Sequence, residues 1–318
     1  EYVRAKSTDD AISHLSSGDA RVHAGGTDLL GCLHDGVFGA GRIVSLRDLD
    51  ELRGIERTTN GGLRIGAMTT ISEISTNIHV RMHYQGLARA ASEVAIPQLR
   101  NQGTLGGNIC QRPRCWYYRG DFACTKKGGD QCYAFSGENG YHAIFGGGPC
   151  YIVHPSDTAP MLTALGAVVR IAGPGGGRSV AIEDFFISPQ VDAEREHILE
   201  RGEIVTEVLL PAPAAGLRSS YRKVRERGGW DFALASVALA LRLDGGTVVD
   251  GRVVLGGVAP VPWRSKVTED AIRGERIDAS VAARAAEAAV KGAAPLRDNG
   301  YKVALLQGAV EESLLGFT

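Results

Sequence analysis

Four of the chain's six cysteines fall in one stretch, CQRPRCWYYRGDFACTKKGGDQC, from Cys110 to Cys132, and Cys150 follows shortly after. Cys115, Cys124, Cys132 and Cys150 are spaced C-x8-C-x7-C-x17-C. Thiolates at such a spacing allow several chemistries. Disulfides need an oxidising compartment, and the opening residues, EYVRAKSTDD, are charged and lack the apolar core of a signal peptide. Structural zinc sites bring their ligands in C-x2–4-C pairs, and this stretch has none. Inert burial is a third reading, and it is the expectation for Cys32 in the first helix. Four thiolates on one irregular loop suit an iron–sulfur cluster, whose ligand spacing is more permissive. Spacing alone leaves iron–sulfur, zinc and non-metal readings open. Lys126 and Lys127 could stabilise thiolate and sulfide charge. Trp116, Tyr117 and Tyr118 could shield a cluster from water or serve as ordinary core.

Glycine marks a second kind of chemistry. The chain has 42 glycines in 318 residues, against a usual ~7%. AGGTDLL (Ala24 to Leu30) reads as a Gly-Gly turn between a strand and a helix, with bare backbone N–H groups as an anion cradle. Thr27 adds a hydroxyl donor. TLGGN (Thr104 to Asn108) is a second turn of this kind. Two cradles suit the two phosphates of a dinucleotide, and plain tight turns are the competing reading. Neither loop matches G-x-G-x-x-G, and no G-K-[ST] follows to make a P-loop. GPGGGRS (Gly173 to Ser179) is flanked by strands and reads as a hairpin turn.

These residues need elements to position them. A chain of 318 residues with 44% apolar content implies two or three domains. The net charge of -1 offers no basic field for phosphate neutralisation, so no nucleic-acid partner is expected. No apolar run approaches the ~18 residues of a membrane helix, so no membrane span is expected. Residues 1–57 read as a small β-turn-α-β unit, with DDAISHLSS helical and RVHAGG and RIVSL as strands. Residues 58–212 carry the strand GLRIGAMTT, a capping box in TISE, helices LARAASEVA and HPSDTAPMLTALGA, and the strand EIVTEVLLPAP. The cysteine-rich insert at about 110–150 lies within this region. Residues 213–318 read as a strand in SSYRKVRER, β-hairpins with DGG and DG turns, and the helices ASVAARAAEAAVKG and NGYKVALLQGAVEESLLG. An antiparallel sheet with helices on one face fits this region.

AGGTDLL, LRNQGTLGGNICQRPRC, HPSDTAPMLTALGA, YRKVRER and LGGVAPVPWR together resemble the FAD-binding medium subunit of xanthine-dehydrogenase-type molybdenum hydroxylases. The resemblance covers nearly the whole chain in the family's order. The insert narrows it to the branch whose FAD subunit carries an additional 4Fe–4S cluster, as in bacterial three-subunit aldehyde oxidoreductases. The beta subunit of 4-hydroxybenzoyl-CoA reductase is a more distant alternative.

The resemblance implies an α+β fold. It comprises a two-lobed FAD-binding domain of the vanillyl-alcohol-oxidase (PCMH) type and a smaller α/β C-terminal domain with an antiparallel sheet. Carried over residue by residue, Ala24, Gly25, Gly26, Thr27, Asp28, Leu29 and Leu30, with Thr104, Leu105, Gly106, Gly107 and Asn108, would hold the FAD pyrophosphate. Asp157, with Ser156 beside it, would bind on the adenosine side or orient its loop. Ile204 would pack on the flavin ring. Lys223 would sit near the isoalloxazine and favour reduced, anionic flavin by its charge. Cys115, Cys124, Cys132 and Cys150 would ligate the 4Fe–4S cluster, with Cys110 left out because it abuts the phosphate turn.

The family arrangement implies an electron relay. A large partner subunit would hold the molybdenum cofactor, and a small 2Fe–2S partner would pass electrons to this chain's FAD. From there they would reach a terminal acceptor. The cytoplasm is the expected compartment, with co-export to the periplasm on a signal-bearing partner as the alternative. The rival function is an assembly or docking flavoprotein whose cysteine loop is a structural metal staple. A stand-alone flavin oxidase is a third reading, with no announced substrate pocket.

Overall fold

The computed structural model describes residues 1–318. Its strands form three sheets. In the first, β1 (Tyr2–Arg4), β2 (Ala20–His23) and β3 (Arg42–Ser45) run parallel in the order β1–β3–β2. Parallel strands need crossovers, and helices supply both. The Thr8–Ser16 helix starts where the Ser7 hydroxyl accepts the Asp10 N–H at 3.1 Å. It buries Ala11, Ile12 and Leu15. The Leu29–His34 helix returns β2 to β3, and the glycine loop 24–28 leads into it.

The second sheet is antiparallel, ordered β4–β5–β8–β6–β7. It comprises β4 (Ile55–Arg57), β5 (Leu63–Gly66), β6 (Val168–Gly173), β7 (Gly176–Ala181) and β8 (Ile204–Leu210). Because β4 pairs with β5, this unit begins by Ile55, slightly ahead of the expected boundary at 58. Gly173 pairs with Gly176, so GPGGG is the hairpin turn its flanking strands predict. The capping box forms in full: the Glu73 N–H donates to the Thr70 hydroxyl at 3.2 Å, and the Thr70 N–H donates to the Glu73 carboxylate at 2.7 Å.

The third sheet, ordered β12–β11–β10–β9, contains β9 (Leu217–Val224), β10 (Ala235–Asp244), β11 (Thr247–Gly256) and β12 (Trp263–Arg264). Strand alternation splits β10 between two cores. Ala238 and Ala240 join the core of the second unit, while Val237, Leu239 and Leu241 face the C-terminal helices. The sheet is therefore covered on both faces, where the sequence suggested helices on one. A strand buried on both faces reads as a continuous apolar run, and VALAL (237–241) does. Each fully buried Val or Leu there contributes about 1.5–3 kcal/mol. The expected second turn at Asp250–Gly251 does not form. Those residues lie inside β11, opposite a register shift at Arg242/Leu243.

The cysteine segment bridges the two larger units rather than belonging to one. Ile144 and Phe145 sit in the C-terminal core. The Ala294 N–H donates to the Ile144 carbonyl at 2.7 Å. The Asn299 amide donates to the His142 carbonyl at 3.0 Å. The Lys302 ammonium donates to the carbonyls of Tyr141 and Gly257 at 2.9 and 2.8 Å. No helix is long and apolar enough to cross a membrane.

Candidate cofactor cleft and cysteine pocket

The two glycine loops meet but are not equivalent. A Cβ on Gly25 would lie 1.9 Å from the Gln102 carbonyl oxygen, so only glycine allows this approach. Gly26 has φ +72°, a left-handed conformation that glycine adopts without strain. The N–H groups of Gly25, Gly26, Thr27 and Asp28 have no hydrogen-bond partner within the chain. They line a cavity of about 560 Å³. This is the open cradle that the sequence predicts.

TLGGN departs from that expectation. The N–H of Leu105 donates to Thr69 O at 2.9 Å, that of Gly106 to Ala67 O at 2.8 Å, and that of Asn108 to Thr104 O at 2.8 Å. The Gly107 N–H donates to the Thr104 hydroxyl at 3.2 Å. The second loop therefore spends its donors on its own fold. Its glycines serve close packing instead: a Cβ on Gly106 would sit 3.0 Å from that of Ala67. Leu105 is fully buried core and Leu30 is half exposed, so neither lines the cleft.

Asp28 also differs from expectation. Its carboxylate accepts Arg114 Nη1 at 2.6 Å, Arg119 Nη2 at 2.7 Å and the Arg112 N–H at 2.7 Å. Those donors all come from the cysteine segment. The residue borders the cleft, but its charge fastens the two sites together and is not free for a ligand.

At Thr27, Asp28, Thr104 and Gly107 the large cavity meets a second, of about 90 Å³. The first is walled by Ala24, Leu29, Met68, Cys110, Leu199 and Ile204. The second is walled by Asn108, Asp157, Lys223, Trp230 and Phe232. Ile204 lines the larger cavity and Lys223 the smaller one. Asp157, expected on the adenosine side or orienting its loop, and Lys223, expected near the isoalloxazine, are paired at 2.7 Å. Tyr221, which the sequence reading missed, donates its hydroxyl to Asp157 at 2.7 Å. Its signal was the alternation of YRKV, which puts Tyr221 and Lys223 on one face of β9. Burial raises the Asp157 pKa, and the nearby Lys223 charge opposes that rise. The Lys223 charge is thus already matched by a carboxylate, which removes the excess positive charge expected beside a flavin. Asn108 is a hub: its Oδ1 accepts the Ser156 hydroxyl at 2.5 Å and the Thr158 hydroxyl at 2.6 Å. Ser156 therefore ties two loops together.

The cysteine segment brings Cys115, Cys124, Cys132 and Cys150 to the walls of one narrow pocket of about 10 Å³. Tyr117, Tyr118, Tyr133, His142 and Ile152 complete much of its lining. The 123–132 turn is tight: the N–H groups of Lys127 and Gly129 both donate to the Cys124 carbonyl, at 2.8 and 3.0 Å. Cys115 caps the short Trp116–Arg119 helix. Burial pushes its thiol up to about 11. Cys132 and Cys150 interact across the pocket, which lowers the first thiol and raises the second. No three His, Cys, Asp or Glu side chains form a group able to hold a single metal ion.

Cys110 lines the cleft instead of this pocket, and burial raises its thiol to about 12. Cys32 is fully buried, and burial first, then the Asp28 charge, raises it to about 11. The two lysines differ. Lys126 lies 2.7 Å from the buried Glu196, which Arg112 also meets at 2.7 Å, yet it also lines the thiol pocket, where its charge opposes the rise of the Cys150 thiol. Lys127 donates to the Gly120 carbonyl at 2.7 Å.

Residues 1–213 match the family described as the FAD binding domain in molybdopterin dehydrogenase. The chain belongs to this family. Residues 219–315 match the CO dehydrogenase flavoprotein C-terminal domain. The chain is 38% identical over 263 residues to the aldehyde oxidoreductase FAD-binding subunit PaoB of Escherichia coli, covering 81% of each chain. It is 30% identical to the glyceraldehyde dehydrogenase medium chain of Sulfolobus acidocaldarius, covering 87% of this chain and 82% of that one. Among solved structures it is similar to the Hydrogenophaga pseudoflava carbon monoxide dehydrogenase that lacks the Mo-pyranopterin moiety. The TM-score is 0.79 at 27% identity, covering 98% of this chain and 94% of that one. This flavoprotein subunit is thus an oxidoreductase component of the molybdenum hydroxylases, with the expected α+β fold and an FAD-binding domain.

Proposed function

We propose that this flavoprotein subunit carries both FAD and a 4Fe–4S cluster in an aldehyde-oxidising molybdenum hydroxylase. It would work beside a large molybdenum-cofactor subunit and a small 2Fe–2S subunit. The observation that carries the cluster is the convergence of four thiols, scattered from 115 to 150, on one pocket. A soft, all-sulfur donor set walled by aromatics fits iron–sulfur chemistry. The pocket is narrow, so loading requires its four thiols to move apart. The aldehyde assignment rests on similarity to the Escherichia coli and Sulfolobus acidocaldarius chains, whose names specify aldehyde substrates. The cytoplasmic expectation accompanies this reading.

When bound, FAD would supply the exchange between two-electron and one-electron transfer, and the cluster would supply a one-electron site. The chain's own residues provide position and electrostatics. The free N–H groups of Gly25 to Asp28 would hold the pyrophosphate, with Thr104 to Asn108 packed behind them. The cavities on either side of that point would take the two halves of the dinucleotide. Asp157 and Lys223 line the smaller cavity and offer polar atoms to the edge of a flavin, so the isoalloxazine is assigned to that side. Ile204 then belongs to the adenosine side, the reverse of the initial expectation.

The deciding measurement is iron, zinc, acid-labile sulfide and flavin content on anaerobically purified protein, with low-temperature EPR after reduction. About four irons, four sulfides and one FAD per chain, with a reducible signal, are expected. Zinc without sulfide would retain the FAD site and overturn the cluster.

A further inference from the structure

The four thiols are not equivalent in what lies behind them. Cys115 alone lines both the cysteine pocket and a neighbouring cavity of about 380 Å³. That cavity shares Arg114, Pro155, Asp157 and Trp230 with the flavin-side cavity. His142 is the other polar side chain on the wall between pocket and cavity. Its Nε2 lies 3.3 Å from the Cys115 sulfur, and its Nδ1 is buried with no partner. The ring's single polar contact is therefore the thiol.

The ring is fixed from several directions. Trp116 meets it edge-on, with centroids 5.2 Å apart at 78°. The His142 N–H donates to the Asn139 carbonyl at 3.0 Å, and its carbonyl accepts the Asn299 amide at 3.0 Å. A cluster-ligating thiolate could only accept, so in that state the facing nitrogen would carry the proton that joins them. The separation suits a hydrogen bond to sulfur, and four thiols already complete a cluster's ligand set.

We infer that His142 is a positioning residue for the cysteine site, donating a hydrogen bond to the Cys115 thiolate and thereby favouring the reduced form of the cluster on the side that faces the flavin. Hydrogen bonds to cluster sulfurs draw off electron density and stabilise the added electron. The inference rests on the iron–sulfur reading given above.

The test uses the assembled complex purified without oxygen, as wild type, His142→Phe and His142→Gln. Iron, sulfide and FAD are counted, and cluster reduction is followed by EPR in a mediated dithionite titration. His142→Phe is expected to keep iron and FAD, while the reduced-to-oxidised ratio at the wild-type midpoint falls about tenfold, or about 59 mV for one electron. His142→Gln, which retains an N–H donor, should recover part of that shift. An unchanged midpoint in an iron-loaded His142→Phe protein overturns the inference. So does loss of iron with FAD retained, because His142 would then be a ligand. Wild type without iron or sulfide would overturn the cluster reading itself, and is recognised before any variant is made. Should the variants fail to fold, pulsed EPR on wild type carrying ¹⁵N-histidine decides. One weakly coupled histidine nitrogen is expected, and either no coupling or the strong coupling of a ligand overturns it.

Discussion

The glycine cleft and the cysteine pocket are fastened together through Asp28, yet they are built on opposite terms. The cleft is open, and its key donors are unspent: four successive N–H groups face a large cavity with no partner in the chain. The pocket is closed, and its thiols are engaged with each other, with His142 and with nearby backbone. Unpaired polar groups at a cavity wall anticipate a ligand that arrives after folding. Thiols that partner one another describe a site that must be opened to be filled. The cleft is thus expected to survive damage to the pocket better than the pocket survives any change to its own turn.

The largest effect should expose that difference. Cys124→Ser and Cys132→Ser are each expected to remove the iron, about four atoms per chain, while FAD occupancy stays close to wild type. Flavin lost in parallel with iron would show the two sites to be one cooperative unit. Cys110→Ser should leave iron untouched, because this thiol faces the cleft. The reverse experiment acts on the cleft. Gly25→Ala places a methyl group against the Gln102 carbonyl, where 1.9 Å is available. Overpacking of this kind costs about 1–3 kcal/mol, so flavin affinity should fall roughly tenfold or more. Iron content should be retained. Normal flavin binding in that variant would mean that the loop contact can relax without disturbing the cradle.

The sequence made these two sites legible to different depths. Glycine marks places where backbone must come close, so both loops were found from AGGTDLL and TLGGN. What glycine cannot announce is which N–H groups will be left free. TLGGN became a packing element because Ala67 and Thr69, far earlier in the chain, take up its donors. Cysteine types and spacing pointed to the four pocket thiols and set Cys110 aside. Of the charges beside them, Lys126 faces the pocket but shares its charge with Glu196, and Asp28 is claimed by Arg114 and Arg119. Those partners are set by tertiary folding and leave no local trace. The same holds for Asp157 and Lys223, whose pairing is the ground for the proposed orientation of the cofactor. The fold was more legible, since capping boxes and strand alternation are local signals. The exception was β10, whose second buried face depends on a unit distant in sequence.

A pH-dependent effect tests the cleft's buried ion pair. Lys223→Met leaves Asp157 buried without its cation, and breaking one half of such a pair costs about 3–5 kcal/mol. The deficit should depend on pH. Burial already raises the folded pKa of Asp157, and losing Lys223 raises it further. A carboxyl raised on folding contributes stability at low pH that is lost as pH climbs through its folded value. The variant should therefore fall furthest below wild type near pH 8 and approach it toward pH 5 in thermal melts. A deficit that is constant across that range would place the cost in packing instead of charge.

The smallest effect belongs to the strap that holds the cysteine segment. Lys302 is fully buried, donates only to the carbonyls of Tyr141 and Gly257, and has no carboxylate partner. Burial lowers its pKa to about 7. For an amine depressed on folding, the unfolded chain binds the proton more tightly, so stability rises with pH between the folded and unfolded values. Wild type minus Lys302→Met should therefore show a stability difference that climbs from about pH 7 toward the ordinary lysine range near 10.4. Taking the difference cancels titrations that both proteins share. A flat difference would mean that Lys302 keeps its charge when buried.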